Sequence, residues 1–382
     1  MERWVAAERR EGEVTFPQLE NLVIRGCPKL VTLPETPNLK VVKLDEDKTH
    51  LSLQIVRSRS RYIYLVSELQ LSVHDKEAAL ELDDENIESP LLELTLSGCG
   101  FFFSSLSQPA AGIWRWFGKL VYLGINDCDG LIYWPEDVFQ SLVSLKHLEV
   151  LGCNNIVGPT PVKGEPAPTK TRVLPHLDRL RVWDCPKLAE LFVLSPSITE
   201  LRIGYCKTLK FTLEEDAESK SVHMQLLDKS TSQKYTGVPK ISAALPLPRL
   251  EFLIITTCDS VVTLPDLPPA LRSLTIWSCP RLCSISGQLD ALMYLSIYWC
   301  NELQSLDSLG HLPSLVNLEL ETCKRLTSLP GVLGGYSALR RLTIKYCPAI
   351  DMKVLYMRHQ QRLDSLEFKD LSHARSSDEG VF

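Results

Sequence analysis

One twelve-residue pattern, L-x-x-L-x-[LIV]-x-x-C-x-x-[apolar], occurs eleven times along the 382-residue chain. This recurrence constrains the fold more than any single motif, because self-similar units of about 20 to 50 residues indicate stacked repeats. One copy has Ile198 in place of the first leucine, and another ends on Phe102. The copies occupy residues 19–30, 91–102, 120–131, 145–156, 177–188, 198–209, 250–261, 271–282, 292–303, 315–326 and 339–350.

Weaker copies of the pattern fill most of the gaps between these segments. They keep the spacing of apolar residues but place Asp47, His74 or Leu371 where the cysteine stands elsewhere. Alternating apolar residues in 222–226 mark one more candidate copy. The chain therefore divides into about fourteen or fifteen units, mostly of about 20 to 32 residues. The weaker copies lie at 39–47, 66–74 and 362–371.

The centre of each unit alternates between apolar and polar residues, which predicts a short β-strand with one buried face. A single unit is too small to cover that face, so neighbouring units must stack and share one core. Successive strands then form a parallel sheet with a spacing of about 4.8 Å. After the cysteine, segments such as CPKLVTLP (27–34) contain a turn and a terminating Leu-Pro pair, which predicts an irregular return path. The best candidates for short helical turns are 140–148 and 332–342.

This arrangement of leucines and cysteines is the leucine-rich-repeat pattern. The expected fold is an α/β solenoid, a leucine-rich-repeat horseshoe with a concave parallel β-sheet and an irregular or short-helix convex side. We expect a repeat domain over 16–371, preceded by an N-terminal extension or truncated repeat (1–15) and followed by a C-terminal tail (372–382). Five prolines in 154–175 predict an exposed loop, and the charged stretch 213–248 predicts a second insertion.

The chain holds twelve cysteines, eleven of them at the ninth position of the pattern. That position takes Asn or Cys in such repeats, because a small side chain turns inward there and hydrogen-bonds weakly to neighbouring backbone. A zinc site needs clustered ligands such as C-x-x-C, and the sequence has none. Stacked units hold equivalent side chains parallel, which disfavours disulfides. The eleven cysteines are therefore predicted to be structural, and Cys283 alone lies outside the pattern.

The composition, with 45% hydrophobic and 23% charged residues, is typical of a globular protein. A formal net charge of -6 disfavours binding to nucleic acid or anionic membranes, and no apolar stretch is long enough to span a bilayer. The segment GIWRWFGKL (112–120) has the wrong glycine spacing for a phosphate-binding loop and carries Leu120 where a magnesium-binding hydroxyl should stand. Because no other catalytic motif occurs, we predict a protein that is not an enzyme and uses no cofactor or metal.

Candidate binding residues lie at the outward positions of the predicted strands. Towards the C-terminal end, aromatic residues occupy such positions on three consecutive strands, and large aromatic groups on a rigid surface anchor many protein interfaces. β-Propensity also favours aromatic residues in strands, so a purely structural role stays open. The predicted partner-binding aromatic patch consists of Phe252, Trp277, Tyr294, Tyr298 and Trp299.

A second candidate surface lies earlier in the chain and is rich in arginine. Its arginines and aromatic residues predict a further contact with a protein partner. In addition, Glu319 and Glu321 project together from one later strand, and a solvated face is the ordinary interpretation of such a pair. The predicted arginine patch consists of Arg179, Arg181, Trp183, Arg202 and Tyr205.

The segments FPQLENLVIRGCPKLVTLPETPNLK (16–40), LRSLTIWSCPRL (271–282) and LVNLELETCKRLTSLP (315–330) resemble the repeat region of plant intracellular nucleotide-binding leucine-rich-repeat (NLR) disease-resistance proteins, particularly the coiled-coil class of cereals. The resemblance implies a cytoplasmic or nucleo-cytoplasmic module that contacts a pathogen effector, an effector-modified host protein or the nucleotide-binding domain of the same receptor. The chain carries no nucleotide-binding motif and begins within a unit, so we expect a fragment or truncation. The alternative is a stand-alone scaffold or adaptor that presents a client protein.

Overall fold

A computed structural model describes residues 16–25, 40–45, 62–66, 91–98, 103, 114–160, 174–209, 247–329, 337–350 and 365–369. They belong to two compact units, Met1–Leu209 and Lys210–Phe382. Short parallel strands at the centre of the repeats dominate both units, which confirms the predicted solenoid. Within the described ranges, no helix is both long and apolar enough to cross a membrane.

In the first unit, eight strands pair in parallel and in sequence order. The first residue of each strand faces the first residue of the next, so equivalent positions of the pattern form continuous rows. The strands are β1 (Asn21–Arg25), β2 (Val41–Asp45), β3 (Tyr62–Val66), β4 (Glu93–Ser97), β5 (Tyr122–Asn126), β6 (His147–Leu151), β7 (Arg179–Trp183) and β8 (Glu200–Gly204).

The second unit has the same organisation and adds a small second sheet. Its main strands pair in parallel and in register, again one after another along the chain. They are β9 (Phe252–Thr256), β11 (Ser273–Trp277), β13 (Tyr294–Tyr298), β14 (Asn317–Glu321), β15 (Arg341–Lys345) and β16 (Ser365–Lys369). The second sheet pairs β10 (Thr263–Leu267) with β12 (Ser284–Gly287), so the return path is partly extended where an irregular one was predicted.

Alternation along each strand decides which side chains form the core. In β11, Leu274 and Ile276 are fully buried, and the register places Leu274 between Leu253 and Leu295 of the neighbouring strands. Complete burial of one such side chain stabilises the fold by about 1.5–3 kcal/mol. Because each leucine is covered mainly by its equivalents in adjacent repeats, the repeats depend on stacking for their stability.

Among the described residues, helical structure is sparse and coincides little with the predicted helical turns, of which 332–336 lie outside the described ranges. The helix α1 (Glu136–Ser141) ends where the predicted helical turn 140–148 begins, and β6 starts at His147. The spacing of the leucines in 140–148 is compatible with a helix, but in the structure these leucines belong to the turn and the strand of the repeat. In 332–342, β15 begins at Arg341 and the described residues before it are not helical. Two 3₁₀ helices occupy Trp114–Phe117 and Asp307–Leu309.

Two further segment predictions need correction. The strand between β2 and β4 is Tyr62–Val66, so the copy proposed at 66–74 is displaced from the strand that enters the sheet. The predicted loop 154–175 begins inside the packed repeat, because Ile156 is fully buried and Gly158 forms a parallel bridge with Tyr133. The weaker copies at 39–47 and 362–371 do supply β2 and β16. Residues 161–173, the candidate copy at 222–226 and most of 213–248 lie outside the described residues.

The residue before each described pattern cysteine adopts a left-handed backbone conformation. Its φ lies between 50° and 67° in all ten described repeats that show this position. The amide of this residue extends the ladder beyond the strand: for example, Ser278 N donates to the Tyr298 carbonyl at 2.8 Å. The chain then bends and directs the cysteine inward. These residues are Gly98, Asp127, Gly152, Asp184, Tyr205, Thr257, Ser278, Trp299, Thr322 and Tyr346.

The described cysteines of the pattern form the predicted inward ladder. Nine of them are described, and all nine are buried. Each thiol lies 3.2 to 3.7 Å from the carbonyl oxygen two residues earlier. Some also reach a carbonyl of the preceding repeat, as Cys323 Sγ does to Ile297 at 3.8 Å. Cys27 and Cys99 lie outside the described residues, and Cys283 is exposed.

Candidate functional site

The candidate sites lie on the sheet face opposite the core, which we call the open face. The first, third and fifth residues of each main strand project from it, because the second and fourth point into the core. This is the face that the sequence predicted to be concave. The open faces of the two units differ in chemistry.

The five residues predicted to form the aromatic patch of the second unit lie on β9, β11 and β13 and directly after β13. Four of its residues remain between 43% and 48% exposed, high values for such large side chains within a sheet. Tyr298 is half-buried, and its ring packs on Trp277 with 5.0 Å between ring centroids and an interplanar angle of 40°. The four exposed residues are Phe252, Trp277, Tyr294 and Trp299.

A carboxylate and an amide of the next strand hold Tyr298 in place. The Tyr298 hydroxyl donates a hydrogen bond to Glu319 Oε2, and Asn317 Nδ2 donates to Glu319 Oε1 at 2.9 Å. Burial and the bond to Glu319 raise the pKa of Tyr298 to about 12, so the phenol stays protonated as a donor. The sequence placed Glu319 on the solvated face but did not predict that it orients the aromatic patch.

Short side chains lie between the aromatic rings. The third residues of β11 and β13 are Thr275 and Ser296, whereas the first and fifth residues of β13 are Tyr294 and Tyr298. Because all of these project from the same face, the larger rings stand above the short hydroxyl side chains.

Trp299 is exposed at the end of β13 through an unfavourable backbone conformation. Its φ of 61° lies in the left-handed region, which costs a residue other than glycine about 1–2 kcal/mol. Its amide donates to the Glu321 carbonyl at 2.9 Å, so the backbone continues the ladder while the indole remains 48% exposed. Equivalent positions hold residues as small as Gly152. Nothing in the ladder therefore requires an indole here.

The arginine patch of the first unit is also assembled as predicted, but each of its arginines has an acidic neighbour. Arg179 Nε lies 3.6 Å from both Asp178 and Glu200, and Arg202 pairs with the same Glu200. Arg181 Nη1 lies 3.8 Å from Glu149 Oε1. Three arginines thus face three carboxylates. This surface carries no net charge from these six groups, although the arginines alone indicated a basic one.

Trp183, the indole of the arginine patch, lies against the sheet. A Cβ atom built on Gly204, its register partner, falls 2.5 Å from the Trp183 ring carbons Cε3 and Cζ3. The Arg181 guanidinium lies 5.5 Å from the ring centroid, and the Tyr205 ring lies 5.4 Å away. The absence of a side chain at Gly204 thus leaves space for the Trp183 indole, and Arg181 and Tyr205 contact the indole on the sheet. Trp183 is half-buried, whereas Trp277 is 46% exposed.

Comparison with known proteins gives limited likenesses. No family model matches the chain. Over 218 residues, 56% of this chain, the sequence is 27% identical to Protein SUPPRESSOR OF npr1-1, CONSTITUTIVE 1 of Arabidopsis thaliana, and it spans only 14% of that protein's length.

Two solved structures superpose loosely on the chain. The leucine-rich repeat domain of the type III effector XCV3220 (XopL) superposes with a TM-score of 0.39 and 18% identity, over 63% of this chain and 73% of that one. The TLR13–ssRNA13 complex gives a TM-score of 0.26 and 14% identity, over 86% and 64% respectively. Superpositions this loose carry no functional argument. The chain is a leucine-rich-repeat solenoid, with sequence similarity to part of a plant protein.

Proposed function

We propose that this chain is a non-catalytic protein-recognition module of plant defence. It binds a pathogen effector, or a host protein that an effector has modified, through the aromatic patch. The observation that carries the proposal is the group of four large aromatic side chains left between 43% and 48% exposed on one rigid sheet face.

Burial of these side chains by a partner is favourable for two physical reasons. Each Å² of apolar surface that a partner removes from water contributes about 25 cal/mol of favourable free energy. The strands β11 and β13, which carry Trp277, Tyr294 and Tyr298, are paired on both sides, so little conformational entropy is lost when a partner docks. Aromatic residues in such settings dominate the energy of many protein interfaces.

The exposed indole of Trp299 also supports recognition. The left-handed backbone belongs to every described repeat that shows this position, but it costs a residue other than glycine about 1–2 kcal/mol, and here it carries an indole. An indole that is half exposed returns little of that energy within the chain itself. Contact with a partner would account for an indole at this position, whereas packing within the chain does not.

The assignment to plant defence has a different basis from the assignment to recognition. It rests on the resemblance of the repeat pattern to plant disease-resistance receptors and on the similarity to an Arabidopsis protein. The arginine patch is not part of the proposal, because its charges are balanced within the sheet and its indole is packed against Gly204.

The test is proximity labelling in leaf tissue, with and without infection, using the wild type and a Trp277→Ala/Tyr298→Ala double variant. We expect proteins labelled specifically by the wild type to be lost in the double variant. Trp183→Ala, which removes an open-face indole from the first unit, is the matched control and should keep them. Circular dichroism and thermal unfolding establish that each variant is folded. Identical labelling by the wild type and a folded double variant would contradict the proposal.

A further inference from the structure

The row of fifth strand residues across the second unit changes in chemistry from one strand to the next. In register, Trp277 of β11 lies beside Tyr298 of β13, then Glu321 of β14, then Lys345 of β15. Neighbouring strands are about 4.8 Å apart. An indole, a phenol, a carboxylate and an ammonium group therefore follow each other at intervals of one strand.

Glu321 differs from the other acidic residue on its strand. Both carboxylate oxygens of Glu319 accept hydrogen bonds, from Tyr298 and Asn317. Among the residues that the structure describes, the Glu321 carboxylate has no hydrogen-bond or ion-pair partner. Its backbone carbonyl receives the Trp299 amide, which places the exposed indole at the same end of the strand. The Glu321 carboxylate thus borders the aromatic patch.

We propose that the partner inserts a cationic side chain, arginine or lysine, between the aromatic rings and Glu321. This inference rests on the proposed function and names the chemistry of the partner at the same site. A cation within about 6 Å of an aromatic centroid is attracted to the ring face, and a guanidinium also binds a carboxylate through two parallel hydrogen bonds. The single-strand step from Tyr298 to Glu321 allows one side chain to make both contacts.

Charge complementarity favours a basic side chain over an acidic or purely apolar one. An acidic group would meet Glu321 and Glu319 at short range, and an apolar group would desolvate the Glu321 carboxylate without compensation. Lys345, the next residue in the row, places a positive charge one strand beyond Glu321. Its presence favours a partner whose cation lies on the aromatic side of Glu321 and whose acidic group, if any, lies over β15.

The experiment is selection of a random peptide library displayed on phage, with the full chain as bait. Peptides that bind the wild type and fail to bind the folded Trp277→Ala/Tyr298→Ala variant are taken as ligands of the aromatic patch. We expect these peptides to contain an arginine or lysine next to an apolar residue. For purified peptides, Glu321→Gln should lower the affinity about tenfold or more, since bonds to charged groups are strong. Lys345→Ala should raise the affinity, because it removes a like charge one strand beyond Glu321.

Replacement of the peptide arginine by citrulline, its neutral counterpart, completes the cycle. The citrulline peptide should bind the wild type about tenfold more weakly than the arginine peptide does, and should bind Glu321→Gln with nearly the same affinity. Glu149→Gln, which changes an open-face carboxylate of the first unit, is the matched control and should leave affinity unchanged.

The results separate the two proposals. If patch-dependent peptides lack basic residues, or Glu321→Gln leaves their affinity unaltered, the cationic anchor is refuted while recognition through the patch stands. If every selected peptide binds the wild type and the double variant equally, the patch is not a docking surface and both proposals fail.

Discussion

Replacement of Gly204 by alanine should destabilise the first unit, although alanine is ordinarily the better residue in a strand. The added methyl group would lie 2.5 Å from two ring carbons of Trp183, far inside the separation of about 3.5–4.0 Å that carbon atoms prefer. The indole has to move. Its contacts with the Arg181 guanidinium and the Tyr205 ring then weaken together.

The expected magnitude follows from these opposing contributions. A forced rearrangement around one extra methyl group costs about 1–3 kcal/mol, and loss of the cation–π contact adds about 0.5–1 kcal/mol. Against this, removal of a strand glycine gains about 0.5–1 kcal/mol. Gly204→Ala should therefore lower the free energy of unfolding by about 0.5–3.5 kcal/mol. In a Trp183→Ala background the obstacle is gone, and the same substitution should stabilise by about 0.5–1 kcal/mol.

The measurement is a double-mutant cycle by urea unfolding, followed by far-UV circular dichroism so that the loss of an indole does not alter the signal. The difference between the two backgrounds should be about 2 kcal/mol, with a change of sign. Gly118→Ala is the matched control, because a Cβ atom there meets nothing within 4 Å, and its effect should stay within about 0.5 kcal/mol. An equal penalty for Gly204→Ala in both backgrounds would refute the proposed packing of Trp183 on Gly204.

Two further predictions concern stability. Thr322→Asn should stabilise the second unit by about 0.5–1 kcal/mol in thermal unfolding, because Thr322 has a φ of 54° and asparagine tolerates the left-handed region; Thr343→Asn on β15 is the control and should destabilise. Burial raises the pKa of Cys153 and Cys300 to about 12 and of Cys279 to about 11, from 9.0. The unfolded chain releases these protons first, so stability is complete below pH 9 and falls between pH 9 and 12, by about 1.4 kcal/mol per pH unit for each thiol. Urea unfolding across this range should show a shallower decline for Cys300→Ala, and an unchanged slope would contradict the assigned burial.

The repeat pattern predicted the strands well because burial in a solenoid is periodic. Alternation is enough to assign Leu274 and Ile276 to the core, and the ninth position is enough to assign the cysteines. The prediction failed where two segments satisfy the same alternation, as at 62–66 and 66–74, because only pairing with both neighbouring strands selects one register. The left-handed residue was also missed, since positions as different as Asp127 and Trp299 share it.

For the candidate sites, the sequence predicted the strand positions of the residues, and the structure showed which side chains surround them. All five residues of the aromatic patch project from the strands or strand end expected. The neutralisation of the arginine patch was not predicted, because Glu149 and Glu200 belong to repeats on either side of β7 and come close only through the sheet register.

The sequence by itself determined that the chain is a leucine-rich-repeat solenoid and which residues point away from its core, because both follow from a repeated alternation. Tertiary structure alone decided which outward residues remain available to a partner. Trp183 and Trp277 hold the same position of the pattern, yet Trp183 lies over Gly204, whereas Trp277 packs against the Tyr298 ring at an angle and stays exposed. The difference arises from the residue on the next strand, and only the stacked sheet brings that residue into contact.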